Sequence, residues 1–396
     1  DGVFVIGVVS TADMRGSAVA NRNATIYHTL KRVFPHVLPA GERFLFFFAT
    51  GAPGQVSADV RTLQARYRER NIETAGFSVR HYEMLLQETS LRRVNWIIRH
   101  HGRSRDAHLG APDTGPLFPG TIAEQEREEA RLPPVQRRYF INSDFKPIGY
   151  YYTLVFWNRL SRANQRETFT WIVRVEPWWI VPVVLVSLIA ALVLRVAGRR
   201  GGRRADTRFA VLFAVFTTGL STMALHIALL FSFQSIYGYV YEMVGLIVAV
   251  FMAGLALGAA VTHCLVGHKA NMNILAGVQL LIALFAGIIA LALPRAAELE
   301  STGVVFMLFS VLTFAAGLLN GADFPLATAC CMALYRRAEK STGMVYGVEL
   351  FGACAGALLA SVVVAPVLGI AACCLLAGIG NAAAFGVIVI SRRTYG

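Results

Sequence analysis

FTTGLSTMALHIALLFSFQSIYGYVYEMVGLIVAVFMAGLALGAAV, from Phe216 to Val261, decides how the second half of this chain folds. Two long apolar runs flank a short tyrosine-containing turn. His226 and Glu242 are the only acidic, basic or imidazole side chains in the stretch. A run of about 20 apolar residues crosses the hydrocarbon core of a bilayer. The stretch therefore reads as parts of two crossings, 209–233 and 238–263. The same length and apolarity recur at 178–198, 271–293, 303–322, 343–368 and 370–391, which makes 178–396 an all-α polytopic membrane bundle of about seven helices.

The composition agrees. Of 396 residues, 55% are hydrophobic and only 15% charged, with a mean hydropathy of +0.52. A soluble protein carries about a quarter charged residues. The charge is uneven: residues 1–177 hold 24 Lys+Arg and 17 Asp+Glu, and residues 178–396 hold 13 and 7. An all-soluble enzyme, a disulfide-stapled secreted module and a disordered chain are excluded. The net charge of +13 divides as +7 and +6, so neither half is a basic nucleic-acid module. All six cysteines lie in the second half, and neither Cys330-Cys331 nor Cys373-Cys374 has metal-site spacing, so no metal is expected.

Residues 1–160 follow a different grammar. Val3 to Val9 is a continuous apolar run of the kind found in strands buried on both faces of a parallel sheet. A helix over 18–34, a strand over Phe44–Ala49, a helix over 57–70, a short strand at Phe77–Val79 and a helix over 83–100 follow. Pro35 and Pro39 stop the first helix. Alternation of strand and helix is the pattern of a doubly wound sheet. A buried central strand needs neighbours on both sides, so the segment reads as an α/β remnant, the C-terminal part of such a sheet. Residues 101–136, polar and rich in Arg, Glu and Pro, read as an insertion or mobile loop, and 161–177 as an interfacial linker. No phosphate-cradling glycine loop is present: Gly51–Gly54 and Gly201-Gly202 have the spacing of turns.

Two stretches of the first half go beyond generic patterning: NATIYHTLKRVFPHVL at Asn23–Leu38 and INSDFKPIGYYYTLVFWN at Ile141–Asn158. In this order after an apolar strand they resemble the C-terminal half of a spermidine synthase, or polyamine aminopropyltransferase, domain of the type fused to membrane helices. Phe216–Val261, ADFPLA at Ala322–Ala327 and Gly343–Gly369 are similar to the membrane module of the same family. The resemblance implies a methyltransferase-like Rossmann sheet and aminopropyl transfer from decarboxylated S-adenosylmethionine to a diamine. It also implies that the cosubstrate loop and the acidic residues that bind the amine and act as base lie upstream of these motifs, so that no cofactor is bound by this chain and the chain alone is inactive.

Asn142, Asp144, Tyr150 and Tyr151 are the substrate-binding candidates. A carboxylate neutralises an ammonium, and an aromatic face adds roughly 0.5–2 kcal/mol of cation–π attraction. The alternative is structural: Asp144 caps a helix and the tyrosines, with Trp157, Trp171, Trp178 and Trp179, sit at a membrane interface. Within the spans, Asn320, Asp323, Glu349 and His226 are the polar candidates. Pro325 is expected to break its helix beside Asp323, as transporters do at cation sites. The alternative function is therefore a membrane transporter or binding protein for polyamines or other cationic amines, with the soluble part regulatory or vestigial.

Gly254/Gly258, Gly317/Gly321, Gly343/Gly347 and Gly352/Gly356 put small residues one turn apart, which permits close helix approach and offers faces for a homo-oligomer. Twelve basic residues on one set of loops against Arg295 on the other place the Arg199–Arg208 loop and the C-terminus in the cytoplasm, of a bacterial inner membrane. A crossing by 178–198 then puts residues 1–177 outside, whereas the cosubstrate implied by the resemblance is an intracellular nucleoside.

Overall fold

A computed structural model describes residues 2–10, 16–41, 43–103, 121–160, 172, 174–198, 205–238, 241–266, 271–299, 301–335 and 338–391. The chain divides into two units, Asp1–Ser143 with Pro147–Trp171, and Asp144–Lys146 with Ile172–Gly396.

The first unit begins with β1 (Val3–Val9), α1 (Ser17–Val33), β2 (His36–Ala40) and β3 (Phe44–Thr50). The sheet order is β1-β3-β2, and β3 runs antiparallel to both neighbours. β1 and β2 therefore point the same way, with α1 carrying the chain between them. Leu45, Phe47 and Ala49 alternate inward along β3 and pack with Tyr27, Val94, Ile98 and Phe156. The remaining helices among the described residues of this unit are α2 (Val60–Glu69), α3 (His81–Leu85), α4 (Glu88–His100), α5 (Ile122–Glu129), α6 (Arg137–Phe140) and α7 (Ile148–Leu160).

Several expectations need correction. β1 is not buried on both faces: Val3, Phe4, Val5 and Val9 are 44–50% exposed, because β1 pairs only with β3 and lies at the sheet edge. Pro39 does not end α1, which stops at Val33. It lies inside β2, an edge strand where a missing N–H is tolerated. Phe77–Val79 forms no strand, and the helix expected over 83–100 is two helices that part at Leu86-Gln87. Residues 104–120 lie outside the described residues, but the remainder of the expected loop 101–136 holds α5. A capping box between Thr121 and Glu124 starts that helix, and Gln125 and Glu129 are buried.

The second unit contains α8 (Ile180–Gly198), α9 (Ala205–Tyr237), α10 (Tyr241–Val266), α11 (Met272–Ala296), α12 (Thr302–Tyr335), α13 (Ala338–Leu358) and α14 (Ile370–Ser391). Seven helices among the described residues are long and apolar enough to cross a membrane. The chain is a multi-pass membrane protein with a small, mainly helical α/β unit at its start. The expected linker 161–177 falls mostly outside the described residues, and Pro177–Trp179 forms a tight turn that leads into α8. The helices are not equivalent. Only 11% of the α8 span is buried, against 67% for α9, so α8 lies at the rim and α9 at the centre.

Pro325 does not break its helix. α12 continues through it from Thr302 to Tyr335, as membrane helices can when neighbours hold the freed backbone. The irregular stretch is instead Leu359–Leu368, a π-helical continuation of α13 that contains Pro366 and ends at Gly369, where φ is +104°. Close packing falls where glycine permits it. A Cβ on Gly254 or Gly258 would collide with the backbone of Phe314 or Leu318, and one on Gly352 or Gly356 with the backbone of Phe216 or Leu220. Gly343 and Gly347 meet no neighbour, so that expected pair joins no helices.

Candidate functional site

In the first unit, α7 lies along α1. The Asn142 backbone N–H donates to Thr29 Oγ1 at 2.9 Å. The Arg22 guanidinium sits 3.9 Å from the centroid of the Phe156 ring and donates to the carbonyl of Val9 at the end of β1. Asn23 Nδ2 reaches Ser10 Oγ at 3.2 Å. The candidates separate. Asn142 Oδ1 accepts from the Gly149 N–H at 3.1 Å, so Asn142, not Asp144, supports the start of α7. Asp144 is exposed and belongs to the second unit, where its carbonyl accepts from Ser235 Oγ at 3.1 Å. Tyr150 is 51% exposed, whereas Tyr151 is 1% exposed. Of the tyrosine pair, Tyr150 alone presents its ring outward.

Sequence reading missed a polar core behind α1. Glu129 of α5 accepts from Arg99 Nη1 and Tyr27 Oη, both at 2.7 Å, and from Arg103 Nη2 at 2.9 Å. His101 Nε2 donates to Asn21 Oδ1 at 2.6 Å. His28 Nε2 donates to the His101 carbonyl at 2.9 Å. Burial pushes the His28 imidazole down to about 4. An unfolded histidine titrates near ~6.5, so between about pH 6.5 and 4 the unfolded chain binds the extra proton. The His28 contribution is full above this window, falls at roughly 1.4 kcal/mol per pH unit through it, and is lost below it. Thermal unfolding of the purified protein from pH 7 to 4 should show a shallower acid slope in His28→Gln. An unchanged slope would assign the acid sensitivity to other groups.

In the second unit, Asp323 is 3% exposed and faces the bundle interior. Gln279 Nε2 of α11 donates to Asp323 Oδ1 at 3.0 Å and to Thr218 Oγ1 of α9 at 2.7 Å. The Thr218 hydroxyl is also hydrogen-bonded to the Asp323 carboxyl. One turn along the same two helices, Thr222 Oγ1 donates to Asn320 Oδ1 at 2.6 Å, and Asn320 Nδ2 returns to the Ala316 carbonyl at 2.7 Å. Three helices thus hold one acid and four neutral polar side chains in one hydrogen-bonded cluster. Gln279 Oε1 is buried without a hydrogen-bond partner. Gln279, Thr218 and Thr222 were missed in the sequence, although Gln279 is the only glutamine in its span. His226 stands apart from this cluster, its ring 4.2 Å from the Phe251 ring, whereas Glu349 is half-buried beside it, with its carbonyl against Gly219 and its carboxyl close enough to interact with the charge of Asp323.

Among the described residues, no group of three His, Cys, Asp or Glu side chains could hold a metal ion. The spans and the enclosed acid define a polytopic helical membrane protein with a polar interior. No family model, curated protein or solved structure matches the chain.

Proposed function

We propose that the chain is a membrane-bound spermidine synthase-like protein, which in its full-length form transfers an aminopropyl group from decarboxylated S-adenosylmethionine to a diamine. The observation that carries this reading is the packing of α7 on α1. It joins Asn23–Leu38 to Ile141–Asn158, the separated stretches that resemble the synthase, in one wall. The parallel relation of β1 and β2 across α1 supports it too, since parallel strands joined through a helix are the unit of α/β sheets, which often carry antiparallel strands as well. In the reaction the amine nitrogen attacks the carbon beside the sulfonium. The C–N bond forms, the C–S bond breaks with its electron pair leaving on sulfur, and a base takes the ammonium proton. Of the four candidates, Asn142 and Tyr150, both exposed on the first unit, are assigned to the amine. Cosubstrate binding is assigned to residues outside these 396, because no glycine loop in the chain can cradle a nucleoside. Mass spectrometry of putrescine incubated with the cosubstrate tests this. Product is expected from a longer polypeptide that includes the cosubstrate-binding half, and none above blank from residues 1–396 alone. No product from the longer protein would overturn the reading.

A second reading, in which the bundle binds or transports a polyamine or another cationic amine, is favoured by the enclosure of Asp323 with Gln279 and Thr218. The cost of a carboxylate in a bilayer interior, at least ~2.5 kcal/mol on insertion scales, argues that it is kept for a reason. The loop charges assign Arg199–Arg208, Lys340 and the C-terminus to the cytoplasmic face of a bacterial inner membrane. Self-association is assigned to the unpacked Gly343/Gly347 face of α13.

A further inference from the structure

We infer that α9–α14 are two inverted copies of one three-helix unit, and that Thr218, Gln279 and Asp323 form, where the copies meet, a binding site for a small cation with N–H donors, such as a protonated amine. This rests on the second reading above and gives it a place and an architecture.

The repeat is seen first in a single contact. Thr222 and Asn320 are hydrogen-bonded to each other and stand 98 residues apart. Three pairs of close glycine contacts shift by the same interval. Gly254 meets Phe314 and Leu318, and Gly352, 98 residues on, meets Phe216 and Leu220, which lie 98 residues before those partners. Gly258 meets Leu318, as Gly356 meets Leu220. Gly317 meets Phe251 and Leu255, as Gly219 meets Glu349 and Ala353. In each case the residues of the two copies exchange places, which is the behaviour of a two-fold axis. A residue touches its own equivalent only on that axis, so the axis passes through Thr222 and Asn320.

Helix limits keep the interval: α9 and α12 end at Tyr237 and Tyr335, and α11 and α14 start at Met272 and Ile370. The sequence retains a trace of it in Phe216-Thr-Thr-Gly219-Leu220 and Phe314-Ala-Ala-Gly317-Leu318. Successive crossings alternate in direction and each copy has three, so the second copy is upside down relative to the first. The axis therefore lies in the membrane plane. Inverted repeats of this kind characteristically hold their ligand near the midplane, between the copies.

The polar trio departs from the symmetry. The equivalents of Thr218, Gln279 and Asp323 are Ala316, Ala377 and Leu225. All three equivalents are buried in one apolar cluster. The same fold thus closes the mirror position with alanine and leucine, so packing alone does not call for an acid, an amide and a hydroxyl on the other side. Gln279 supplies the second sign. Its Oε1 is fully buried and accepts nothing, while its Nε2 is bonded to Asp323. An open acceptor beside a carboxylate, in a place closed to water, is completed by an N–H-bearing cation.

The test has two independent parts, both on the whole chain. In a background with the six cysteines replaced by serine, Glu242→Cys and Lys340→Cys occupy equivalent positions at the starts of α10 and α13. With an impermeant maleimide on intact cells, Glu242→Cys should label, and Lys340→Cys only after permeabilisation. Labelling of both from one side would overturn the inverted repeat whatever the ligand data show. In nanodiscs, equilibrium binding of radiolabelled putrescine should fall roughly tenfold in Gln279→Ala and roughly a hundredfold in Asp323→Leu. Both variants should remain folded, because each installs the residue the other copy already carries. Unfolding of both would make the trio structural and overturn the site. Wild-type binding by folded variants would sink the second reading while leaving the repeat intact.

Discussion

Gly258→Leu should yield almost no folded protein in detergent, with destabilisation well beyond ~3 kcal/mol, the upper end for ordinary overpacking. A Cβ added at Gly258 would meet the main chain of Leu318 and not a movable side chain, so relief requires α10 and α12 to separate. That separation would strip contacts along both helices, where Gly254, Gly317 and Gly321 make the same kind of approach. In a bilayer these packing contacts are a main source of helix association, because lipid offers apolar surface as good as leucine. Gly277→Leu and Gly287→Leu are the internal controls: both glycines meet open space, and both variants should stay within about 1 kcal/mol of wild type. Size-exclusion profiles and thermal unfolding of the three proteins decide this. A monodisperse, wild-type-like Gly258→Leu would contradict the assigned α10–α12 contact.

Glu129→Ala should cost about 3–5 kcal/mol and release α5 from the first unit. Glu129 is 9% exposed and is shared by Arg99, Arg103 and Tyr27. Arg99 is fully buried, and Glu126, its other carboxylate partner at 3.1 Å, is half exposed. Removing Glu129 leaves a guanidinium in the interior without its better counter-ion and a phenol without its acceptor. Replacing the charged pair together, as Arg99→Met with Glu129→Leu, should recover much of the loss, because no unpaired charge then remains. Thermal unfolding of the single and double variants checks both statements. A single variant as stable as wild type would mean that α5 is not held where Glu129 places it.

The membrane half was legible because a bilayer demands long apolar runs, and such runs are visible without knowing what they touch. What Pro325 does was not legible. The rule that proline ends a helix assumes an unsupported backbone, and α12 is packed on both sides of that point. Strand direction carries no periodic signature, so the apolar run Val3–Val9 suggested a central strand where the chain makes an edge. The charged stretch that forms α5 resembled a loop because its burial depends on Arg99 and Arg103, which lie far away in sequence. Asp323 and Asn320 stood out in their span by type alone. Their partners did not: Thr218 and Thr222 have no mark that separates a bridging polar group from a tolerated one, and Gln279, though the only glutamine in its span, points to no partner by itself. The 98-residue repeat was hidden for a related reason: what persists between the copies is backbone approach at glycine, with few matching side chains.

Saturable binding of radiolabelled putrescine to the purified protein in nanodiscs tests the central claim, that this is an amine-handling membrane protein, most directly. Both proposed readings require a site for a diamine. The expected result is a saturable signal displaced by spermidine, lost with Asp323→Asn if the site is in the bundle and with Tyr150→Ala if it is in the synthase-like wall. A folded wild-type protein that shows no saturable binding at millimolar putrescine would contradict the assignment of an amine site to this chain, in the bundle and in the wall alike.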